Sequence, residues 1–253
     1  MITPVTLIGG GPGAWDLITL RGARALAQAD VILTDHLGPT PYLETIVADF
    51  GGDLATIEVI DVAKLPYGRS VAQEKINELL VCYARDGKRV ARLKGGDPYV
   101  FGRGFEEMIA LAEAGIPCEV IPGVTSAVSV PAAAGVPVTH RGVTHSFTVV
   151  SGHVAPGDER SLTDFDALAR VGGTIVVIMG ARHVQAICER LVAAGLAADT
   201  PAVAVMEGTT DGQRCVRATA ATLPAAMAEA GITAPVVYAI GEVAGLSLLA
   251  GMG

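Results

Sequence analysis

Long apolar runs are missing from this 253-residue chain. None reaches the ~18 to 20 residues needed to cross a bilayer, so no membrane partner is expected. The opening Met1-Ile2-Thr3-Pro4-Val5 has neither a basic stretch nor a cleavage site, so no secretory signal is visible and the expected location is cytoplasmic. Cysteine is sparse: Cys82, Cys118, Cys188 and Cys215 are scattered, with no C-x-x-C pair. That spacing excludes the usual zinc and dithiol patterns and leaves reduced thiols in a cytosolic protein. Aromatic residues make up only 4% against 51% hydrophobic residues overall, so the core must be built from Ala, Val, Leu and Ile. Positive charge is in deficit, with a net −8. A nucleic-acid-binding face shows as a broad basic surface, so no nucleic acid is expected as a partner. His140, His145 and His153 lack metal-ligand spacing and an accompanying acidic cluster, so no metal is expected. A G-x-S-x-G nucleophile elbow and a Walker A loop are both absent.

Glycine, by contrast, is abundant: 31 residues, about 12% of the chain, against a usual ~7%. The first half alternates strand-like and helix-like segments. Strands are expected at Val5 to Gly9, Val31 to Leu33, Ile57 to Val62, Val90 to Leu93 and Glu119 to Ile121. Helices are expected from Thr19 to Ala29 with Thr19 as N-cap, from Ser70 to Arg85 with Ser70 and Gln73 as a capping box, and from Glu106 to Glu113. This alternation indicates a mostly parallel sheet covered on both faces. Beyond Gly123 strand-like runs dominate: Ser146 to Ser151, Thr174 to Met179, Ala202 to Met206, Cys215 to Ala220 and Val236 to Ile240. Helices are expected at His183 to Ala194 and Leu223 to Ala230, and the turn from Gly208 to Gly212 suggests an antiparallel hairpin. Residues 153 to 164 are polar and loop-like. The fold class expected is α/β, as two α/β domains: residues 1–122 with a mostly parallel sheet, and residues 123–253 with a mixed one.

One stretch carries most of the functional information: Arg92-Leu93-Lys94-Gly95-Gly96-Asp97-Pro98-Tyr99-Val100-Phe101-Gly102-Arg103-Gly104. Between residues 85 and 105, six basic side chains (Arg85, Lys88, Arg89, Arg92, Lys94, Arg103) face only Asp86 and Asp97. Positive charge on a glycine-punctuated turn reads as a site for a small anionic molecule, because glycine lets a ligand approach the backbone. Gly9-Gly10-Gly11-Pro12-Gly13, with Ala14, approximates a dinucleotide fingerprint, but Pro12 to Asp16 delay the helix that the fingerprint should open. A tight turn, or a loop approaching another ligand, are the alternatives. Asp35 and His36 follow a strand, where open α/β sheets place ligands; Asp35 can be a general base, a ligand anchor or a helix cap. Arg103, between Gly102 and Gly104, offers a charged fork on an unencumbered backbone. Glu106 and Glu107 could simply complement a helix N-terminus. Pro122-Gly123-Val124-Thr125-Ser126 places small hydroxyl residues at a helix start, where they can cap the helix or bond a ligand. Thr139-His140-Arg141-Gly142 supplies a further cation.

Taken together, Leu7 to Gly13, Arg92 to Gly104, Pro122 to Ser126 and Thr139 to Gly142, with weaker matches at Val177 to Gly180 and Ile240 to Val243, resemble the tetrapyrrole (corrin/porphyrin) methylases. Within that family the likeness is to the uroporphyrinogen-III C-methyltransferases. The resemblance implies an S-adenosylmethionine-dependent enzyme that methylates C2 and C7 of uroporphyrinogen III, giving precorrin-2 by way of precorrin-1. It also implies a homodimer and an active site in the cleft between the two domains. Carried over by position, the cofactor contacts are Pro12, Gly95, Gly96, Asp97, Val100, Thr125, Ser126, Met179 and Gly208. Arg103, Glu106 and Arg141 face the tetrapyrrole, and Asp35 and Lys64 match a proton acceptor and donor. The chain departs from the family at His36, commonly Arg, at Ala63, usually Gly, and at Phe105, commonly Gly. Competing readings are a sibling methylase for a later corrin precursor, a nicotinamide-dependent oxidoreductase using the Gly9-to-Gly13 loop, and a non-catalytic tetrapyrrole-binding protein.

Overall fold

The computed structural model describes residues 3–35, 37–62 and 69–246, with side chains 69–72 excluded. His36, Ala63, Lys64 and the side chain of Ser70 therefore lie outside the described residues. The chain divides into two compact units, Met1–Thr125 and Ser126–Gly253.

The first unit runs β1 (Val5–Gly9), α1 (Leu20–Ala27), β2 (Val31–Thr34), α2 (Leu43–Asp49), β3 (Glu58–Asp61), α3 (Arg69–Arg85), β4 (Val90–Lys94), α4 (Gly104–Glu113) and β5 (Cys118–Ile121). Its five-stranded sheet has the order β3-β2-β4-β1-β5, and every pairing is parallel. β2 and β4 are buried at every residue, as expected of parallel strands covered on both faces. Ile8, Ile32 and Leu93 pack with Leu26 of α1 and Ile46 of α2 on one face. Leu7, Leu33 and Val90 pack with Leu80 of α3 and Leu111 of α4 on the other. Side chains alternate along a strand, so Arg92 and Lys94 share the face of Val90. Thr19 caps α1, its hydroxyl accepting from the Gly22 amide. Helix α2 is not foreshadowed in the sequence reading. Its N-cap, Tyr42, makes no side-chain capping bond, and burial of Leu43, Ile46 and Val47 is what holds it.

The second unit runs α5 (Ser126–Ala133), β6 (Phe147–Ser151), α6 (Phe165–Val171), β7 (Thr174–Ile178), α7 (Val184–Ala193), β8 (Pro201–Met206), β9 (Arg214–Thr219), α8 (Leu223–Glu229) and β10 (Val236–Ile240). Strand order is β6-β7-β10-β8-β9. β6 and β7 are parallel, and the remaining pairs are antiparallel. The β8–β9 hairpin is where the sequence placed it. Helix α6 begins just past the loop-like stretch and was not foreshadowed; Asp164 caps it by accepting from the Ala167 amide. Val177 and Tyr238 pack against α7 and α8 through Leu191 and Met227, while Val176 and Val203 pack on Val130 of α5. The architecture is the α/β class expected, one parallel sheet and one mixed. No described helix is long and apolar enough to cross a membrane.

Candidate active site

All carboxyl ends of a parallel sheet open on one edge, where ligands bind in open α/β folds. In the first unit Gly9 closes β1, Asp35 follows β2, Gly95-Gly96 follow β4, and Pro122-Gly123 follow β5. Gly11 and Gly96 form an isolated bridge, in which Gly96 N–H donates to Gly11 C=O at 2.7 Å and Gly11 N–H to Gly96 C=O at 3.2 Å. A Cβ on Gly9 would stand 2.4 Å from the Gly123 Cα, and one on Gly123 would stand 2.1 Å from the Gly96 carbonyl. The sequence presents these glycines as room for a ligand; the structure gives them a nearer partner, each other's backbone. Helix α1 starts only at Leu20, after a 3-10 turn over Trp15–Leu17. The glycine turn thus does not open a helix onto a pyrophosphate, as the dinucleotide fingerprint requires.

Asp97 is half-buried and holds this edge together. Its Oδ1 accepts from the Tyr99 amide at 2.8 Å and its Oδ2 from the Gly123 amide at 3.0 Å. A carboxylate oxygen has two acceptor sites, so each keeps one for a cationic ligand. Pro12, Gly95, Gly96 and Val100 are likewise half-buried around the glycine turns.

Four of the six basic side chains of this patch meet carboxylates. Arg89 binds Asp30 at the amino ends of β2 and β4, at 2.7 Å. Arg103 caps α4 with φ +57° and grips Glu106 bidentately, Nε to Oε1 at 2.8 Å and Nη2 to Oε2 at 2.6 Å. That guanidinium holds the Glu106 carboxyl below its usual value, which makes Glu106 a weaker base while paired. Both side chains are about half exposed, so the pair itself contributes little stability, ~0 to 1 kcal/mol.

Arg92 and Lys94 are almost fully buried. They are buried against Glu107 of α4, whose side chain is 0% exposed. Glu107 Oε1 accepts from Lys94 Nζ at 2.8 Å, from Arg92 Nε at 3.2 Å and from Gln73 Nε2 at 3.4 Å. Burial pushes the Lys94 ammonium below its ordinary pKa, and the neighbouring Arg92 charge adds to the effect. Arg92 Nη2 reaches Asp35 Oδ2 at 3.5 Å, and Asp35 Oδ1 accepts from the Leu37 amide at 3.1 Å. Sequence reasoning counted Arg92 and Lys94 as ligand-facing charge and Glu107 as a helix-dipole complement. The alternation Arg92-x-Lys94 on a strand was the signal that both point to one covered face.

In the second unit β6, β7 and β8 share one direction, so their carboxyl ends share an edge. Three non-glycine residues there adopt positive φ: Met179 (56°), Glu207 (49°) and Thr209 (74°). Each such residue costs ~1 to 3 kcal/mol and is found where function or packing over-determines the backbone. Met179 is half exposed. Gly208 is buried, and a Cβ on it would meet Val130 Cγ1 at 2.4 Å. Ser126 opens α5 with Thr125 just ahead of it, both half-buried, and Arg141 is exposed in the turn bridged by His140 and Thr144. The structure thus groups Pro12, Asp35, Gly95, Gly96, Asp97 and Val100 on one edge, with Arg103 and Glu106 at the start of α4. Met179 and Gly208 lie on another edge, in the other unit.

The family model for Tetrapyrrole (Corrin/Porphyrin) Methylases matches residues 4–224. An S-adenosyl-L-methionine-dependent uroporphyrinogen III methyltransferase of Methanosarcina barkeri is 42% identical over 94% of this chain and 91% of its own length. The siroheme synthase of Chromobacterium violaceum is 46% identical over 96% of this chain, which spans about half (50%) of that longer protein. Among solved structures, a cobalt precorrin-4 methyltransferase superposes with a TM-score of 0.80 at 28% identity, covering 95% of each chain. Uroporphyrin-III C-methyl transferase from Thermus thermophilus, complexed with S-adenyl homocysteine, gives 0.74 at 37% identity, covering 95% of this chain and 98% of that one.

Proposed function

We propose, on the premise that this chain belongs to the tetrapyrrole (corrin/porphyrin) methylases, that it is an S-adenosylmethionine-dependent C-methyltransferase converting uroporphyrinogen III to precorrin-2 by methylation at C2 and C7, via precorrin-1. The observation that carries this reading is the near end-to-end similarity to the Methanosarcina barkeri methyltransferase. S-adenosylmethionine supplies an electrophilic methyl group on a sulfonium, and a pyrrole carbon is already electron-rich. The protein's work is therefore alignment, which can lower a barrier by ~7 to 11 kcal/mol. The residues fit such a donor: Asp97 keeps acceptor sites for an ammonium, and the half-buried Gly95-Gly96 turn lets a ligand meet backbone. Pro12, Val100, Thr125, Ser126, Met179 and Gly208 complete the proposed cofactor set.

Arg103 and Arg141 are the proposed counter-charges for the tetrapyrrole carboxylates, since guanidinium forks pair bidentately with carboxylates. Glu106 gives up Arg103 to a substrate carboxylate or keeps it in register. Asp35 is the proposed proton acceptor. Its carboxylate is about a quarter exposed and anchored on both oxygens. Lys64 is the proposed donor. The reaction needs no metal, and we assign the chain to the cytoplasm as a homodimer.

A second reading, methylation of a later corrin precursor, is favoured by one observation, the higher TM-score with the cobalt precorrin-4 methyltransferase. Anaerobic incubation with enzymatically generated uroporphyrinogen III and S-adenosylmethionine separates the two. Gain of two methyl groups supports the first. No gain, with S-adenosylmethionine bound in calorimetry, supports the second.

A further inference from the structure

We propose that Glu107, whose side chain is fully buried, is a positioning residue that fixes Arg92 and through it orients the Asp35 carboxylate. A carboxylate that served only to neutralise Arg92 would be expected to take its guanidinium bidentately. Here Arg92 splits its fork. Nε goes to Glu107 Oε1 at 3.2 Å and Nη2 faces Asp35 Oδ2 at 3.5 Å. Nη1 donates to the Leu93 carbonyl at 2.7 Å and lies 3.5 Å from that of Leu33. With contacts on three sides, the plane of the guanidinium is fixed. Glu107 is loaded asymmetrically to match: three donors converge on Oε1, while the buried Oε2 has no hydrogen-bond partner among the described residues.

The order of burial gives the direction of the effect. Glu107 is 0% exposed, Arg92 4% and Asp35 26%. Asp35 is thus the member of the chain Glu107–Arg92–Asp35 that a ligand can reach. Replacing a buried ion cluster by apolar residues is often neutral or stabilising, so stability alone does not call for these charges. Fixing the carboxylate at the strand end does.

This inference rests on the reading of Asp35 as proton acceptor, and its test separates the two. The side-chain carboxyl carbons of aspartate are labelled with carbon-13, and the Asp35 resonance is identified by its loss in Asp35→Asn. Glu107→Gln and Arg92→Lys are both expected to move that resonance. Both are expected to lower kcat by about tenfold or more, the scale on which ångström misplacements act. KM for the tetrapyrrole and affinity for S-adenosylmethionine should stay within about threefold, a split that general loosening of the fold would not produce. Because Glu107 acts through Arg92, the double variant should be no slower than the slower single one. An unmoved Asp35 resonance in both variants, or kcat losses that multiply, would overturn the proposal. Should Glu107→Gln not fold, Glu107→Asp keeps the carboxylate but shortens its reach to Arg92, and decides by the same resonance and the same kcat–KM split. A wild-type protein that does not methylate uroporphyrinogen III overturns the functional reading, while the resonance still decides the positioning role.

Discussion

The two sheets present their carboxyl edges differently. All three buried charged side chains among the described residues, Arg92, Lys94 and Glu107, belong to the first unit. The buried polar residues of the second are Thr174 and Thr200. The first unit uses glycine where its loops meet, holds positive φ at Phe101 and Arg103 between β4 and α4, and is set apart by its buried charge. The second keeps an apolar core and places its tension in the backbone, at Met179, Glu207 and Thr209. A parallel sheet covered on both faces keeps solvent from the side chains its strands point into those faces, so a charged group there needs a polar partner. In the mixed sheet the positive-φ residues sit past β7 and β8, where they re-aim the chain. The difference teaches that an edge can be shaped by electrostatics or by torsion, and each responds to a different substitution.

The largest effect is expected where charge is the device. Glu107→Ala leaves Arg92 and Lys94 buried with the partly exposed Asp35 as the only counter-charge among the described residues, and should cost ~3 to 5 kcal/mol in chemical denaturation. Converting all three to apolar residues, Arg92→Leu, Lys94→Met and Glu107→Leu, should recover most of that loss. Failure of the triple variant to recover would mean packing, not charge, governs this face. Next is the glycine contact. Gly123→Ala puts a methyl 2.1 Å from the Gly96 carbonyl, and rigid backbone on both sides makes a loss of about 3 kcal/mol the expectation, at the upper end for overpacking.

These two substitutions also mark the limit of what the sequence discloses. Alternating strands and helices, the Thr19 cap and the β8–β9 hairpin are local patterns and are legible. Helices α2 and α6 span seven residues each and did not stand out, whereas the equally short α8 is rich in alanine, the strongest helix former; Asp164 ahead of Phe165 was a usable cap signal. The glycines were legible as special positions, but not their reason, because Gly9, Gly96 and Gly123 meet only when three strands lie side by side. The ionic cluster was hidden for the same reason. Arg92 and Glu107 are 15 residues apart, and in a sequence a buried arginine and a ligand-binding arginine look alike.

In the second unit the expected sign reverses. Met179 holds φ +56°, a conformation that costs a non-glycine residue roughly 1 to 2 kcal/mol. Met179→Gly removes that strain but adds the unfolded-state entropy of glycine, ~0.5 to 1 kcal/mol. The net expectation is a gain in stability of up to about 1 kcal/mol, with weaker S-adenosylmethionine binding in calorimetry. No glycine position on the edge of the first sheet should be stabilised by any substitution. A destabilised Met179→Gly would show that the side chain's own packing outweighs the torsion.

The smallest effect comes from charge at the opposite end of the parallel sheet. Asp30 precedes β2 and accepts from both the side chain and the amide of Arg89, which lowers its pKa from 3.8 to about 2. Because the folded value lies below the unfolded one, the contribution is fully present above about pH 4. It is lost as the pH falls through about 2. The pair is exposed, 58% for Arg89 and 32% for Asp30, so solvent screening cuts it to roughly half a kcal/mol. Asp30→Asn should therefore cost that small amount at pH 7 and less in high salt, with the cost falling towards nothing as the pH drops below about 2 in thermal unfolding. An effect at pH 7 as large as that of Glu107→Ala would show that the parallel sheet depends on ion pairs at both ends and that burial is not what sets their worth.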